Sequence, residues 1–237
     1  MAKTMDGKIA LVTGASRGIG AATAEALAGH GAHVILTART GADLEAVEDR
    51  IHQAGGTATI APLDLTETDS IGRLAHAVSS RWEKLDILVL NAAMLGTLAP
   101  VQHLDAPEFA KILTLNVSAQ QAMIAAMDPL LRKSEMAQLI GITSSIGQSP
   151  RAYWGAYGAS KAAFEALLLA YAAENETQGR IKLALVDPGA TRTKMRSAAY
   201  PGEDPATVKD PEIVGKRIAA LLIEGFTSPY HERVNQS

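Results

Sequence analysis

The chain has 237 residues, 47% of them hydrophobic and 20% charged, which is enough apolar content to bury a globular core. Its formal net charge of -3 argues against a nucleic-acid partner, and the lack of cysteine excludes disulfides and thiol chemistry. No apolar run approaches the roughly 20 residues of a membrane span, and residues 1–8 do not resemble a signal peptide, so the expected location is the cytoplasm.

Short apolar runs alternate with longer helical patterns through the first half of the chain. Strands are predicted at residues 9–13, 34–38, 57–62 and 85–90, and helices at residues 18–28, 42–54 and 68–82. The run at 85–90 is apolar almost throughout, which is typical of a strand buried on both faces of a parallel sheet.

The second half continues this alternation with longer helices. Helices are predicted at 106–131, 152–175 and 212–224, and strands at 139–143 and 182–186. Asp105 is the predicted N-cap of the first of these helices, with Glu108 as its capping-box partner. The irregular stretch 193–210 is a predicted substrate lid, and no strand is expected in the segment 226–237.

This order of elements predicts an α/β fold. We expect a single domain over residues 1–237, built on a doubly wound parallel sheet (a Rossmann fold) with helices on both faces. Such sheets bind ligands at the carboxyl ends of their strands, near the point where the strand order reverses. The motifs that carry chemistry all follow a predicted strand or lie on the helix after it.

A glycine-rich turn, TGASRGIG at residues 13–20, joins the first strand to the first helix. Glycines let the backbone approach a pyrophosphate closely, and the free N–H groups of the following helix attract the anion. The turn therefore predicts a dinucleotide site that includes Gly14, Ser16, Arg17, Gly18, Ile19 and Gly20.

The residues after the second strand indicate which dinucleotide binds. An NAD site usually has an acid there for the ribose 2′-hydroxyl, but this chain has Ala38 followed by Arg39. Arg39 and Arg17 could clamp a 2′-phosphate through charge-assisted hydrogen bonds. NADP(H) is therefore the preferred cofactor, and NAD(H) stays possible.

Four polar residues predict a catalytic site. Tyr157 and Lys161 share one helix face, and a nearby ammonium is expected to lower the pKa of the phenol toward neutrality. Ser144 follows a strand and can hydrogen-bond a substrate oxygen. Asn116 is a polar amide in an apolar helix, with a predicted role in holding a water chain to Lys161.

Together these motifs resemble those of the short-chain dehydrogenase/reductase family. The resemblance implies adenine contacts from Asp64 and Leu65, and a floor beneath the cofactor formed by Asn91 and Ala92. It also implies that Lys161 bonds the nicotinamide ribose. The implied nicotinamide contacts are Pro188, Gly189, Thr191 and Thr193.

Two departures from the family pattern are visible. Ala93 stands where the family usually has glycine, and the C-terminal segment lacks an evident strand of the kind that builds family tetramers. The resemblance implies a homodimer or homotetramer, and the second departure favours the dimer. The histidines and carboxylates form no metal-ligand pattern, so no metal is expected.

The resulting functional hypothesis is an NADP(H)-dependent carbonyl reductase, or the reverse alcohol dehydrogenase, with a small carbonyl or alcohol as its partner. A 3-oxoacyl carrier-protein reductase and a non-catalytic dinucleotide sensor are the alternatives. Arg151, Arg192 and Arg196 are candidates to receive an anionic substrate group. The other candidate substrate contacts are Met94, Leu95, Ile146, Gln148 and Trp154.

Overall fold

A computed structural model describes residues 4–67, 69–177 and 179–235. A seven-stranded sheet has the order β3-β2-β1-β4-β5-β6-β7, and every neighbouring pair is parallel. Its strands are β1 (Ile9–Thr13), β2 (His33–Ala38), β3 (Thr57–Pro62), β4 (Ile87–Leu90), β5 (Ala137–Ile142), β6 (Ile181–Asp187) and β7 (Tyr230–Arg233).

Helices connect the strands and cover the sheet. They are α1 (Gly18–Gly29), α2 (Gly41–Gln53), α3 (Ser70–Arg81), α4 (Ala106–Leu113), α5 (Ala119–Leu131), α6 (Ser145–Gln148), α7 (Gly155–Asn175), α8 (Lys194–Ala199) and α9 (Pro211–Glu224). Helix α3 begins at Ser70, and Thr68, where the sequence predicted its start, lies outside the described residues.

Alternating strand residues build a separate core on each face of the sheet. On β1, Val12 packs with α1, α2 and α9, whereas Leu11 packs with α3, α5 and α7. The strand order reverses between β1 and β4, so the predicted doubly wound fold is confirmed. The carboxyl ends of these two central strands therefore mark the expected ligand site.

The long helix predicted at 106–131 contains an irregular turn. Residues Thr114–Ser118 form a π-helical turn between α4 and α5, and Asn116 lies inside it. Asp105 caps α4 as predicted, because its carboxylate accepts from Glu108 N at 2.8 Å. The Glu108 carboxylate does not complete the capping box: it accepts from the backbone N–H and hydroxyl of Thr97 instead, both at 3.1 Å.

The prediction that the C-terminal segment has no strand is wrong. Strand β7 pairs in parallel with β6, and Tyr230 packs on the core that includes Phe226. Glu232 lies on the same half-buried side as Tyr230 and pairs with Arg217 at 2.9 Å, and the exposed residues His231 and Arg233 are also polar, so the sequence shows no apolar strand pattern here. Because this strand is present, the C-terminal segment gives no argument for a dimer over a tetramer.

Candidate active site

Residues after β4 hold the turn between β1 and α1. The Thr13 hydroxyl donates to Val89 O (3.3 Å) and accepts from the N–H groups of Asn91 (2.9 Å) and Ala92 (3.0 Å). The Asn91 amide donates to Thr13 O (2.9 Å) and Gly14 O (3.2 Å). Asn91 and Ala92 thus lie against the glycine turn. Thr13, to which the sequence gave no role of its own, joins the two strand ends.

Close packing leaves no room for a side chain at two glycines of this turn, Gly14 and Gly20. Gly14 has a φ of 65°, and a Cβ on it would lie 2.9 Å from Asn91 Nδ2. A Cβ on Gly20 would lie 2.5 Å from the same nitrogen and would collide with Gly14 O. The bare backbone of this cradle fits a pyrophosphate that approaches it closely.

Helix α1 begins without a side-chain cap. Its N-cap residue Arg17 makes no capping hydrogen bond, and its first turn has no acidic residue, so the first N–H groups remain available to an anion. Gly18 lies beside Thr193, whose Cγ2 would be 3.2 Å from a Cβ on Gly18. Ser16 is half-buried in the turn, and Ile19 packs against the core.

Arg17 and Arg39 are both exposed. Neither guanidinium makes a hydrogen bond or an ion pair in the described part of the chain. Asp64 does not pair with them, because its carboxylate accepts from the backbone N–H (2.9 Å) and hydroxyl (2.7 Å) of Thr66. These bonds, with a smaller contribution from the Arg39 charge, lower the pKa of Asp64. Leu65 beside it is buried.

Ser144, Tyr157 and Lys161 come together at the carboxyl end of β5. Tyr157 is 8% exposed, and the Ser144 hydroxyl lies close enough to its phenol to influence the pKa. Lys161 is 3% exposed and donates from Nζ to Ile142 O at 2.8 Å. The ammonium lies 5.7 Å from the centre of the Tyr157 ring. The structure therefore places a phenol, a hydroxyl and an amine around one buried position.

Burial controls the acidity of this pair. It raises the pKa of Tyr157, the charge of Asp187 raises it further, and the Ser144 hydroxyl opposes the rise. Burial also lowers the pKa of Lys161 to about 8, against an opposing effect of Asp187. The expected shift of the Tyr157 pKa toward neutrality is not found, because dehydration of the phenol raises the pKa. Tyr157 is consequently protonated at neutral pH, the form that donates a proton.

Asn116 supports the site through the protein backbone. Its Oδ1 accepts from Met94 N (2.8 Å), and its Nδ2 donates to Met94 O (2.8 Å) and to the Ser160 hydroxyl (3.0 Å). Ser160 in turn donates to Tyr157 O at 2.7 Å. These bonds use both amide hydrogens of Asn116 and one of the two acceptor positions of its Oδ1, and its expected role in a water chain to Lys161 stays a prediction. Ser160, which lies within the tyrosine motif, is the linking residue that the sequence did not identify.

The loop after β6 is stiffened by local hydrogen bonds. Gly189 N donates to Asp187 Oδ1 at 2.9 Å, and the Thr191 hydroxyl donates to Pro188 O at 3.0 Å. Thr193 caps α8 by accepting from Arg196 N at 3.1 Å. Together with the contact between Thr193 and Gly18, these bonds bring the predicted nicotinamide residues to the glycine turn.

Several residues predicted to contact the substrate form ion pairs or hydrogen bonds with other side chains of the protein. Arg192 forms an ion pair with Asp210, and Gln148 donates to Glu165 Oε1 at 2.6 Å. Arg196 binds Glu203 through Nη2 (2.5 Å) and Nε (2.7 Å). Arg151 is exposed and makes no ion pair within the described residues. Half-buried or buried side chains near the catalytic residues are Met94, Leu95, Ile146 and Trp154.

The described part of the chain contains neither a cluster of metal ligands nor a membrane-spanning helix. Within residues 4–67, 69–177 and 179–235, no three histidines, aspartates or glutamates gather in a way that could hold a metal ion. None of the helices in that part of the chain combines the length and apolarity needed to cross a bilayer.

The fold and site define a class of protein. A glycine turn at the strand-order reversal, facing a buried serine, tyrosine and lysine, is the arrangement of a dinucleotide-dependent oxidoreductase. A family model described as short chain dehydrogenase matches residues 8–204. The chain therefore belongs to the short-chain dehydrogenase/reductase family and is an NAD(P)-dependent oxidoreductase.

Individual relatives agree with this assignment. Oxidoreductase YciK of Escherichia coli strain K12 is 36% identical over 210 residues, which are 87% of this chain and 82% of that protein. A short chain dehydrogenase structure from Pseudomonas syringae is 37% identical with a TM-score of 0.94, covering 99% of this chain and 97% of its own. Another, from Shigella flexneri and complexed with NADP, is 32% identical with a TM-score of 0.93 and covers 99% of both chains.

Proposed function

We propose that this protein is an NADP(H)-dependent carbonyl reductase, acting on a small carbonyl compound and able to oxidise the alcohol in reverse. The observation that carries the proposal is the buried Tyr157 beside Ser144, with the buried Lys161 one helical turn later and its Nζ 5.7 Å from the centre of the Tyr157 ring. NADP(H) is preferred over NAD(H) because Arg17 and Arg39 are exposed and their guanidinium groups form no ion pair in the described chain. The NADP bound by the Shigella flexneri relative supports that choice.

The cofactor supplies the hydride when it is bound, and the side chains handle the proton. The Ser144 hydroxyl donates a hydrogen bond to the substrate carbonyl oxygen. Tyr157 then transfers its phenolic proton to that oxygen, and the Lys161 ammonium stabilises the phenolate left behind. Asn91 and Thr13 keep the glycine turn in place for the pyrophosphate, and Asn116 positions the loop at Met94.

The segment 193–210, called the lid segment below, covers the substrate side in this proposal. It contains α8 and a 3₁₀ turn at Pro205–Thr207. Its two ends are joined at the base, because Arg192 N donates to Lys209 O at 2.8 Å and Lys209 Nζ donates to Val234 O at 2.7 Å. This anchoring would let the middle of the segment move while its base stays fixed.

Two further features belong to the proposal. A dimer, alone or within a tetramer, would form through α7, whose exposed side carries a row of alanines. The enzyme would work in the cytoplasm as one Rossmann domain.

A cofactor titration tests the proposal first. Nicotinamide fluorescence would be followed with NADPH and NADH for the wild type, Arg39→Ala and the matched control Arg73→Ala, a surface arginine on α3. NADPH should bind more tightly than NADH, and Arg39→Ala should weaken NADPH alone by roughly tenfold. Equal binding of both cofactors would contradict the arginine clamp.

A carbonyl panel read at 340 nm with NADPH tests the chemistry. Tyr157→Phe should lower the rate by roughly 10²- to 10⁴-fold while leaving NADPH binding intact. Reduction of the 3-oxo group of 3-oxoacyl carrier-protein thioesters alone, with no free carbonyl compound accepted, would favour the 3-oxoacyl reductase alternative. Tight NADPH binding without turnover of any substrate would favour a dinucleotide sensor.

A further inference from the structure

Three aromatic rings form a continuous contact from the catalytic tyrosine to the lid segment. The Trp154 ring meets the Tyr157 ring edge-on, with centroids 5.9 Å apart at 70°. On its other side Trp154 contacts Tyr200, with centroids 5.8 Å apart at 36°. Tyr200 follows α8 in the lid segment, so the outermost ring belongs to a different part of the chain from the other two.

An ion pair inside the lid segment supports the outermost ring. The Arg196 guanidinium lies 3.7 Å from the centre of the Tyr200 ring, a favourable cation–π distance. Glu203 holds the same guanidinium at two nitrogens, at 2.5 and 2.7 Å. A two-point bond of this kind fixes the plane of the guanidinium and hence the face on which Tyr200 rests.

Residues 194–203 form the tip of the lid segment, and the aromatic rings connect this tip to the rest of the molecule. Every hydrogen bond that the structure shows for residues 194–203 stays between Thr193 and Glu203. The contact of Tyr200 with Trp154 therefore ties the tip to the start of α7. An aromatic contact of this type can open and close without breaking a hydrogen bond.

We propose that Trp154 and Tyr200 form an aromatic gate beside Tyr157 that selects small, uncharged carbonyl compounds, with Arg196 and Glu203 holding Tyr200 closed. This inference rests on the proposed carbonyl reductase function. The gate limits size because a carbonyl group at Tyr157 must place its substituents against the Trp154 ring. It disfavours anions because Glu203 already neutralises Arg196, the cation that lies on the rings.

Aldehydes of increasing size test the size limit. The series is propanal, benzaldehyde and 2-naphthaldehyde, compared by kcat/KM for the wild type, Trp154→Ala and Tyr200→Ala. Both variants should raise the ratio of naphthaldehyde to propanal by roughly tenfold or more. Tyr200→Phe keeps the ring and should keep the wild-type ratio. Tyr153→Ala is the matched control, because Tyr153 is an exposed tyrosine beside Trp154 with no ring contact in the described chain.

A carboxylated substrate tests the charge preference. The wild type should prefer benzaldehyde to 4-carboxybenzaldehyde. Glu203→Gln releases the charge of Arg196 and should shift kcat/KM toward the carboxylated aldehyde, whereas Asp204→Asn, next to it in the chain, should not. An unchanged preference in Glu203→Gln would overturn the part assigned to the ion pair.

Tryptophan fluorescence tests the ring contact without turnover. The chain has two tryptophans, so Trp82→Phe leaves Trp154 as the only one. In that background Tyr200→Ala should shift the emission to the red and increase acrylamide quenching, and Tyr200→Phe should do neither.

The two readouts separate the possible failures. If the variants fold and bind NADPH but the size ratio does not change, the gate is wrong and the proposed function stands. If NADPH binds but neither the wild type nor any variant reduces an aldehyde, the proposed function is wrong. The aromatic gate then has no substrate to select and is contradicted as well. Unchanged fluorescence in Tyr200→Ala would contradict the closed contact itself.

Discussion

The proton on Lys161 should set the alkaline limit of the reaction. Its ammonium is buried, and burial lowers its pKa to about 8. The pKa of Tyr157 is raised instead, so the phenol stays protonated throughout this range. We expect kcat for reduction to fall as the pH rises through about 8, because Lys161 loses the charge that stabilises the phenolate.

The pH profile of kcat between pH 6 and 10, at saturating NADPH and substrate, checks this expectation. NADPH binding measured at each pH serves as the control for loss of cofactor. A rate that stays constant up to pH 10 would show that the charge of Lys161 is not needed.

The sequence predicted the site residues whose chemical role requires one particular residue type. Tyr157, Lys161, Ser144 and the glycine turn lie together as the motif spacing predicted. The acidity of Tyr157 was not predictable, because it depends on burial and on Asp187, which approaches from another strand. The bonds of Asn116 to Met94 were also hidden, since they join positions far apart in the sequence.

At the scale of elements, the β1–α1 connection depends on Gly20. A Cβ there would lie 2.5 Å from Asn91 Nδ2, so Gly20→Ala should push the turn apart. We expect a roughly tenfold or greater loss of NADPH affinity together with lower stability. Gly29→Ala is the matched control at the other end of α1, where an added Cβ meets nothing within 4 Å. Equal NADPH affinity in both variants would contradict this account of the turn.

Asp86 ties three elements together at the opposite end of the sheet. It is 1% exposed and accepts from Ile9 N (3.0 Å), the Ser134 hydroxyl (2.6 Å) and Lys8 Nζ (3.2 Å). Asp86→Ala leaves these donors without their acceptor and should destabilise the protein by about 3 kcal/mol in urea unfolding at pH 7. Asp49→Ala, at an exposed position on α2, should change stability by less than about 0.5 kcal/mol.

The stabilisation from Asp86 should depend on pH in a defined direction. Burial acts to raise the pKa of Asp86, but the bonds from Ser134 and Ile9 and the charge of Lys8 outweigh it, and the net pKa is lowered. A lowered carboxylate pKa adds stability above the unfolded value of about 3.9, and that stability is lost as the pH falls through the folded value. The difference between wild type and Asp86→Ala should therefore shrink below pH 4, and a constant difference would contradict this.

Helices and strands with a clear local apolar pattern were predicted, and those that depend on contacts with distant residues were not. The central strands were found within a few residues because they are apolar on both faces. The π turn around Asn116 was missed because it keeps the apolar helical pattern of its neighbours. Strand β7 was missed because three of its four residues are charged or histidine, and Glu232 is half-buried only through its ion pair with Arg217 of α9, which the local sequence does not show.

At the scale of the whole molecule, both cores share one sheet, and the alternation of elements predicted this doubly wound arrangement without giving the order of the strands. If the helices on one face of the sheet came away, the apolar side chains on that face of every strand would be exposed to water. We therefore expect the chain to unfold as a single domain. Assembly between chains is a separate matter, because it depends on surfaces that the hydrophobic pattern does not single out.

The outer side of α7 is the expected surface for assembly. Small exposed side chains let two helices approach closely, and those of α7 are Ala159, Ala162, Ala166, Ala170 and Ala173. Ala166→Arg should convert a dimer into monomers, or a tetramer into smaller species, because a long charged side chain would lie in the middle of the contact. Light scattering after size-exclusion chromatography measures the mass, and Ala46→Arg on the exposed side of α2 is the matched control. A wild type that is monomeric at micromolar concentration, or an Ala166→Arg variant of unchanged mass, would show that α7 does not form the interface.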